Sequence, residues 1–309
     1  MDKREHTLWV EKYRPQTLDE YVGNDLLKQK VSIYLESGDI PHMLLVGPAG
    51  TGKTTLAKIL GNNTDCDYLY INASSENSVD VMRNKIQDFA STVGFRSFKL
   101  IILDEADYLS PNAQAALRNI METFSKHARF ILTCNYAERI ISPIQSRCQV
   151  FTVVPPSKKD VAVKIALILN TEGVTYSKED VVTVVTSGYP DIRRVINSTQ
   201  RQCVDGELKV DTYSMIQNDY KLKVLEHLKN DSKKTAFTNI RQLLADSQVQ
   251  DYTDLYKLLY DDVDSYAKGH VAQVILTIAD SQWQESFAVD KEIHVMALII
   301  EILNEIKEG

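Results

Sequence analysis

The segment PHMLLVGPAGTGKTTLAKIL, residues 41–60, joins a short apolar run to a glycine-rich turn, and the turn to a lysine and threonines. The run Met43–Val46 is flanked by Pro41 and Gly47, which predicts a buried strand. From Thr54 onward, Leu56, Ala57, Ile59 and Leu60 suit a helix. Between them GPAGTGKT, Gly47 to Thr54, meets the phosphate-loop pattern, whose glycines let successive backbone N–H groups turn inward around an anion at a helix N-terminus. Gly47, Pro48, Ala49, Gly50, Thr51, Gly52, Lys53, Thr54 and Thr55 are therefore candidate nucleotide-binding residues. Lys53 would reach the β- and γ-phosphates, and the Thr54 hydroxyl would ligate Mg²⁺. The plain alternative is a tight turn with a surface lysine; the full pattern between a strand and a helix weighs against it.

A phosphate loop needs a metal-holding acid. In KLIILDEADYL, Lys99 to Leu109, four apolar residues run directly into Asp104 and Glu105. At the end of a buried strand Asp104 can hold the Mg²⁺ shell while Glu105 polarises an attacking water. Two acids after a strand could also be loop solvation, but their pairing with an intact phosphate loop favours a site that holds ATP and hydrolyses it.

The 309 residues are 44% hydrophobic and 25% charged, ordinary material for two or three globular domains. There is no apolar segment of membrane-spanning length, and the start MDKREHTLWV is charged rather than signal-like, so a soluble, cytoplasmic protein is expected. Cys66, Cys134, Cys148 and Cys203 are scattered without paired ligand spacing, which argues against structural zinc or a disulfide framework. A net charge of −7 argues against coating nucleic acid with the whole surface but leaves room for a local basic site.

Strand-like runs at Met43–Val46, Tyr68–Asn72, Leu100–Leu103, Phe130–Thr133 and Val150–Val153 alternate with helical stretches near 53–61, 79–91, 111–126 and 143–147. That rhythm predicts a parallel α/β sheet with its ligand at the carboxyl ends of the strands. VVPPSK, Val153 to Lys158, breaks the pattern. The expected organisation is a nucleotide-binding domain over residues 1–155, a small helical lid over 156–208 and an all-helical domain over 209–309.

Several motifs in order resemble one family. They are WVEKYRPQTLDEYVGND, GPAGTGKT, LIILDEAD, AQAALRNIME, ILTCNY, the SRC of Ser146 to Cys148, and PDIRRVINSTQ. Together they look like an ATPase subunit of a sliding-clamp loader: the small subunits of replication factor C and the corresponding phage subunit, of the AAA+ superfamily. The motifs cover roughly residues 9–200; beyond them the resemblance rests on length, helical character and DKEIHVMALII. It implies that Val10, Tyr13 and Arg14, with Val22 and Gly23, border the adenine ring. Asn135 would be the sensor orienting the attacking water, and Arg193 the lid sensor, with Arg194 adjacent as the alternative. Arg147 is similar to the arginine finger that reaches the ATP of a neighbouring subunit. A guanidinium there offsets charge developing on the phosphoryl group, worth about 10³-fold or more in rate. A salt bridge near a helix end is the ordinary alternative for Arg147.

SENSVDVMRNKIQDFAST, Ser75 to Thr92, resembles the helix that tracks the duplex backbone, with Ser78 or a neighbour capping it and Arg83 meeting phosphates; a solvated amphipathic helix, carrying Asp80 and Asp88, is the ordinary alternative. Such contacts would follow the shape of a primer–template junction rather than its sequence. TVGFRSF resembles the clamp-docking segment, with Val93, Phe95 and Phe98 as anchors; these could equally fold back onto their own domain. On the helix at 111–126, Ala113, Leu117, Ile120 and Phe124 share a core face, while Gln114 and Arg118 lie on another as candidates to couple nucleotide to DNA, or as ordinary surface residues. In EIHVMALIIEILNEI the run Val295–Ile300 is apolar nearly all round, which implies packing against other subunits in a collar. The resulting expectation is an ATP- and Mg²⁺-dependent motor in a pentameric ring that opens a clamp and leaves it on primed DNA. Another AAA+ motor, such as a helicase loader or branch-migration ATPase, and a nucleotide-binding scaffold subunit remain as alternatives; the latter would not need its full set of catalytic residues.

Overall fold

In a computed structural model of the chain, residues 8–75, 79–92, 94, 96–210, 212–247 and 252–306 are described. They fall into two compact units, Met1–Lys209 and Val210–Gly309.

Five short apolar runs build the sheet of the first unit. They are β1 (Met43–Val46), β2 (Cys66–Asn72), β3 (Phe98–Asp104), β4 (Ala128–Cys134) and β5 (Gln149–Thr152), in the spatial order β2-β3-β4-β1-β5. All pairings are parallel. Strand side chains alternate faces, and both faces of the central strands β1, β3 and β4 are covered, so those runs are apolar at nearly every position, whereas the edge strands β2 and β5 are partly exposed. Leu44, Ile101, Leu103, Phe130 and Leu132 pack with Ile86, Leu117, Ile120 and Met121 on one side. Leu45, Leu100, Ile102 and Ile131 pack with Leu27, Val31, Leu56 and Leu60 on the other. Each fully buried large side chain of this kind contributes roughly 1.5–3 kcal/mol.

Two helices, α1 (Trp9–Lys12) and α2 (Asp25–Ser37), precede β1, and α3 (Lys53–Asn63), α4 (Val79–Ser91), α5 (Pro111–Thr123) and α6 (Ser142–Gln145) lie between the strands. Ser110 starts α5 by accepting from the Ala113 N–H at 3.2 Å, and Pro111 follows in the first turn, where its missing N–H costs nothing. The chain leaves β1 for the edge strand β2 and returns through β3 to β4 beside β1. This reversal opens a crevice at the carboxyl end of β1.

After β5 come α7 (Lys158–Thr171), α8 (Lys178–Gly188) and α9 (Ile192–Gln202). The expectation of helices alone to residue 208 misses a hairpin of β6 (Cys203–Val204) and β7 (Glu207–Leu208). Its turn residues Asp205 and Gly206 both have positive φ, 54° and 76°, the primed geometry that Asp-Gly favours.

The second unit is helical throughout its described residues: α10 (Thr212–Asn230), α11 (Lys233–Ser247), α12 (Thr253–Asp261), α13 (Val263–Tyr266), α14 (Val271–Glu285) and α15 (Lys291–Ile306). Val224, Leu228, Ile240, Leu244, Tyr256, Leu259, Val274 and Ile278 meet Val295, Leu298, Ile299 and Ile302 in one core. Part of the apolar surface stays open, at Leu276, Trp283, Phe287, Val289, Ile293 and Ile300. Among the described residues no helix is long and apolar enough to cross a membrane.

Candidate active site

The phosphate loop lies between β1 and α3, with Gly50 at φ 74° and Gly52 at φ 96°. A Cβ on Gly50 would stand 1.9 Å from the Asp191 carboxylate, and one on Gly52 would stand 2.9 Å from the Tyr21 ring. Both positions thus require glycine for conformation and for space. Lys53 is buried and donates to the carbonyls of Gly47 at 2.7 Å and Pro48 at 2.8 Å, and to Asn135 Oδ1 at 2.8 Å. Burial lowers its pKa.

Asp104 ends β3 beneath the start of α3. Its carboxylate accepts from Thr54 Oγ1 at 2.7 Å, Thr133 Oγ1 at 2.6 Å and the Tyr70 hydroxyl at 2.8 Å. Thr133 Oγ1 in turn accepts from the Glu105 N–H at 3.0 Å. The chain Glu105–Thr133–Asp104 holds Glu105 in the left-handed region, at φ 56°, a costly conformation for a residue with a side chain and one that collects at functional sites. Asp107 is buried, and its Oδ2 accepts from the N–H groups of Asn135 at 3.1 Å and Tyr136 at 3.3 Å, fixing the turn that presents Asn135.

These groups open onto one cavity. It is lined by Ala49 to Thr55 of the loop, by Asp104, Glu105, Cys134 and Asn135, and on the far side by Val10, Tyr13, Arg14, Tyr21, Val22, Lys164, Ile192, Arg193 and Ile196. The N-terminal segment is held over it by the helices after β5. The Trp9 N–H donates to Gln200 at 2.9 Å and the Tyr13 hydroxyl to Glu172 at 2.6 Å. Arg193 lines the cavity and Arg194 does not.

Three expected lining residues stand elsewhere. Gly23 turns against Pro156, and Gly47 and Pro48 serve through the carbonyls that anchor Lys53. Arg147 lies outside the cavity of its own chain, donating to the Pro143 carbonyl at 2.6 Å and paired with the Glu122 carboxylate on α5. Gln114 is buried rather than on a surface face. It donates to the carbonyls of Leu109 at 3.1 Å and Arg139 at 2.8 Å and accepts from the Ile141 N–H at 2.8 Å, joining α5 to the segment that leads into α6. Arg118 bonds its neighbour Asn119. Phe98 begins β3 on the same face as Leu100 and Ile102 and packs against that core, so it is not a free docking anchor. Arg83 is exposed on α4. Ser78, Val93 and Phe95 lie outside the described residues.

Tyr70, Thr133 and Asp107 were not singled out by sequence. Asp107 stands inside the quoted LDEAD, three residues after Asp104. Among the described residues no group of three or more His, Cys, Asp or Glu side chains is placed to hold a metal. Mg²⁺ needs none: it is commonly held by one or two protein oxygens and the phosphates of its nucleotide, and the Thr54 hydroxyl and Asp104 carboxylate are an all-oxygen pair of that kind. Because Thr54 donates its proton to Asp104, the lone pairs of its oxygen stay available to a cation.

A phosphate loop, two adjacent acids, an asparagine and the helices after β5 around one crevice fit a nucleotide hydrolase of the AAA class. Residues 43–156 match the ATPase family associated with various cellular activities (AAA). The chain is 42% identical over 245 residues to the replication factor C small subunit of Archaeoglobus fulgidus, covering 77% of each protein. It is 43% identical over 206 residues to that of Halobacterium salinarum, covering 65% of this chain and 64% of the relative. The chain belongs to the replication factor C small subunit family, the clamp-loader family its motifs resemble. Among solved structures, the RuvB Holliday junction branch migration motor of Thermotoga maritima superposes with a TM-score of 0.54 at 18% identity, covering 84% of this chain and 91% of that one. That likeness is one of fold.

Proposed function

We propose that the chain is the DNA-dependent ATPase subunit of a sliding-clamp loader, acting in the cytoplasm within a pentameric ring. ATP binding drives clamp opening and the grip on primer–template DNA, and hydrolysis releases the loaded clamp. The observation that carries this reading is the division of labour around the cavity. Lys53, Thr54, Asp104, Glu105, Asn135 and Arg193 converge on it, while Arg147 stands outside it on the same chain.

Lys53 and the loop N–H groups bind the phosphates, and Thr54 and Asp104 would hold Mg²⁺, which when bound would offset phosphate charge. Glu105 takes the proton of an attacking water that Asn135 orients. Arg147 of a neighbouring subunit supplies the remaining positive charge, making turnover conditional on assembly. Residues 1–155 then act as the ATPase domain, 156–208 as its lid and 209–309 as the collar. The open apolar side chains of α14 and α15 support the collar role. DNA contact is assigned to Ser78 and Arg83, and clamp docking to Val93 and Phe95.

A mixing experiment on the assembled complex tests this. Arg147→Ala subunits bind ATP but fail to complete a neighbour's site; Glu105→Gln subunits bind ATP but lack the base. In the mixture, a Glu105→Gln subunit lends its arginine to an Arg147→Ala subunit whose Glu105 is intact. ATPase recovered in the mixture and absent from each pure variant is the expected result. Full DNA-stimulated turnover by the Arg147→Ala complex alone would leave Arg147 a structural residue and overturn the assembly-gated mechanism.

A further inference from the structure

Asp104 is held by three hydroxyl groups, and one of them comes from outside the cavity. Thr54 on α3 and Thr133 on β4 both line the cavity; Tyr70 sits on β2, is not among the lining residues, and still places its hydroxyl 2.8 Å from Asp104 Oδ2. The sheet explains the reach. In the parallel register Asn72 is the partner of Asp104 and Tyr70 the partner of Ile102. Tyr70 is therefore the diagonal neighbour of Asp104 on the same face, about 7–8 Å away between backbones, a span that an aromatic side chain crosses and a serine or threonine does not. The ring is held from the other side by Lys58 of α3, whose ammonium stands 4.5 Å from its centroid. The Ala73 N–H, three residues on and just past the end of β2, donates to the Asp104 carbonyl at 2.9 Å, so this segment grips both the backbone and the side chain of that residue.

We propose that Tyr70 is a positioning residue for the metal site: its hydroxyl fixes the orientation of the Asp104 carboxylate, and thereby sets how tightly Mg²⁺ binds with the nucleotide. The inference rests on the reading of Asp104 as the residue that holds Mg²⁺. Tyr70 does not itself line the cavity. Without its hydrogen bond Oδ2 keeps only the longer contact from Thr54, at 3.0 Å, so that side of the carboxylate is less firmly fixed while Oδ1 stays bonded to Thr54 and Thr133. Partners of this kind behind a metal ligand are worth about 10–100-fold in metal affinity. The low end applies here, because Thr54 and Thr133 continue to hold Asp104.

The test is equilibrium titration of the full-length chain with a fluorescent ATP analogue, at stepped Mg²⁺ concentrations and in EDTA. Tyr70→Phe keeps the ring under Lys58 and removes only the hydroxyl; it is expected to raise the Mg²⁺ concentration for half-maximal tight binding about tenfold. Affinity in EDTA should stay within about twofold of the unaltered protein, because the loop and Lys53 are untouched. Tyr70→Leu, which also removes the ring, should match Tyr70→Phe in Mg²⁺ requirement if the hydroxyl is the operative group. An unchanged Mg²⁺ requirement in Tyr70→Phe overturns the proposal while leaving the metal site itself intact. Equal weakening with and without Mg²⁺ also overturns it, since that is the signature of general loosening. If the unaltered protein binds the analogue equally well in EDTA and in Mg²⁺, the reading of Asp104 fails and this inference with it.

Discussion

The two units bury polar groups for different ends. In the first, Lys53, Asp104, Asp107 and Thr133 are all buried at the carboxyl ends of strands, and their hydrogen bonds converge on one cavity. In the second, the buried polar groups tie helix to helix. The Tyr256 hydroxyl meets Ser281 at 3.2 Å, and His294 Nε2 stands 2.8 Å from the Ser281 carbonyl, linking α12, α14 and α15. A buried polar group must be bonded wherever it lies, so burial alone does not mark a site. What separates the two regions is convergence on open space: the first network ends on groups that face a cavity, the second on its own core.

The largest effects should therefore come from the first unit and appear in chemistry rather than folding. Glu105→Gln is expected to lower the ATP hydrolysis rate about 10²–10⁴-fold while nucleotide affinity stays within a few-fold, because an amide keeps the shape but cannot take a proton. Lys53→Ala should weaken binding itself. Single-turnover phosphate release and nucleotide titration separate the two, and both variants turning over at the unaltered rate would break the site assignment.

A change in the second unit should do the reverse. Ile299 is fully buried on α15, and Ile299→Ala should cost roughly 2–5 kcal/mol of that unit's stability through lost burial and the cavity left behind. The nucleotide cavity is lined only by residues of the first unit, so the affinity of the isolated subunit for ATP should not change. Denaturant unfolding alongside nucleotide titration checks this. A fall in nucleotide affinity would break the contrast between a chemical and a packing unit.

The smallest expected effect concerns His42, which precedes β1. Burial, reinforced by the nearby Arg129, lowers its pKa from 6.5 to about 4, and its Nδ1 accepts from the Phe130 N–H at 3.1 Å, so the ring is held neutral. The unfolded chain binds this proton more readily than the folded one between those two values. The stabilisation is therefore complete above about pH 6.5 and is lost as the pH falls toward about 4. Each unit of difference is worth at most about 1.4 kcal/mol. Stability measured across that range should fall more steeply on acidification for the unaltered protein than for His42→Gln, whose amide does not titrate. Identical slopes would show that His42 does not couple to folding.

Much of the site was legible because its chemistry is local. A phosphate loop works through consecutive backbone N–H groups, so Gly47 to Thr54 declare themselves in order, and an acid pair at a strand end is readable from LIILDE alone. The central strands β1, β3 and β4 were legible for a related reason: strands buried on both faces are apolar at nearly every position, which leaves short unbroken runs between turns. The Asp-Gly turn at Asp205 was equally local, although the helical character of its surroundings outweighed it.

What the sequence by itself determined, then, is which groups gather at the cavity: Lys53, Thr54, Asp104, Glu105 and, through the resemblance, Asn135 and Arg193 all line it. Only the tertiary structure decided what holds them. Tyr70, Thr133 and Asp107 come from β2, β4 and the turn after β3, and they meet the site because those segments lie side by side, a pairing that no local pattern specifies. The same cause packed Phe98 against the core and buried Gln114 between α5 and the segment before α6. Helical and strand periodicity reports which face a side chain occupies, whereas what stands opposite that face is set by the packing of distant elements.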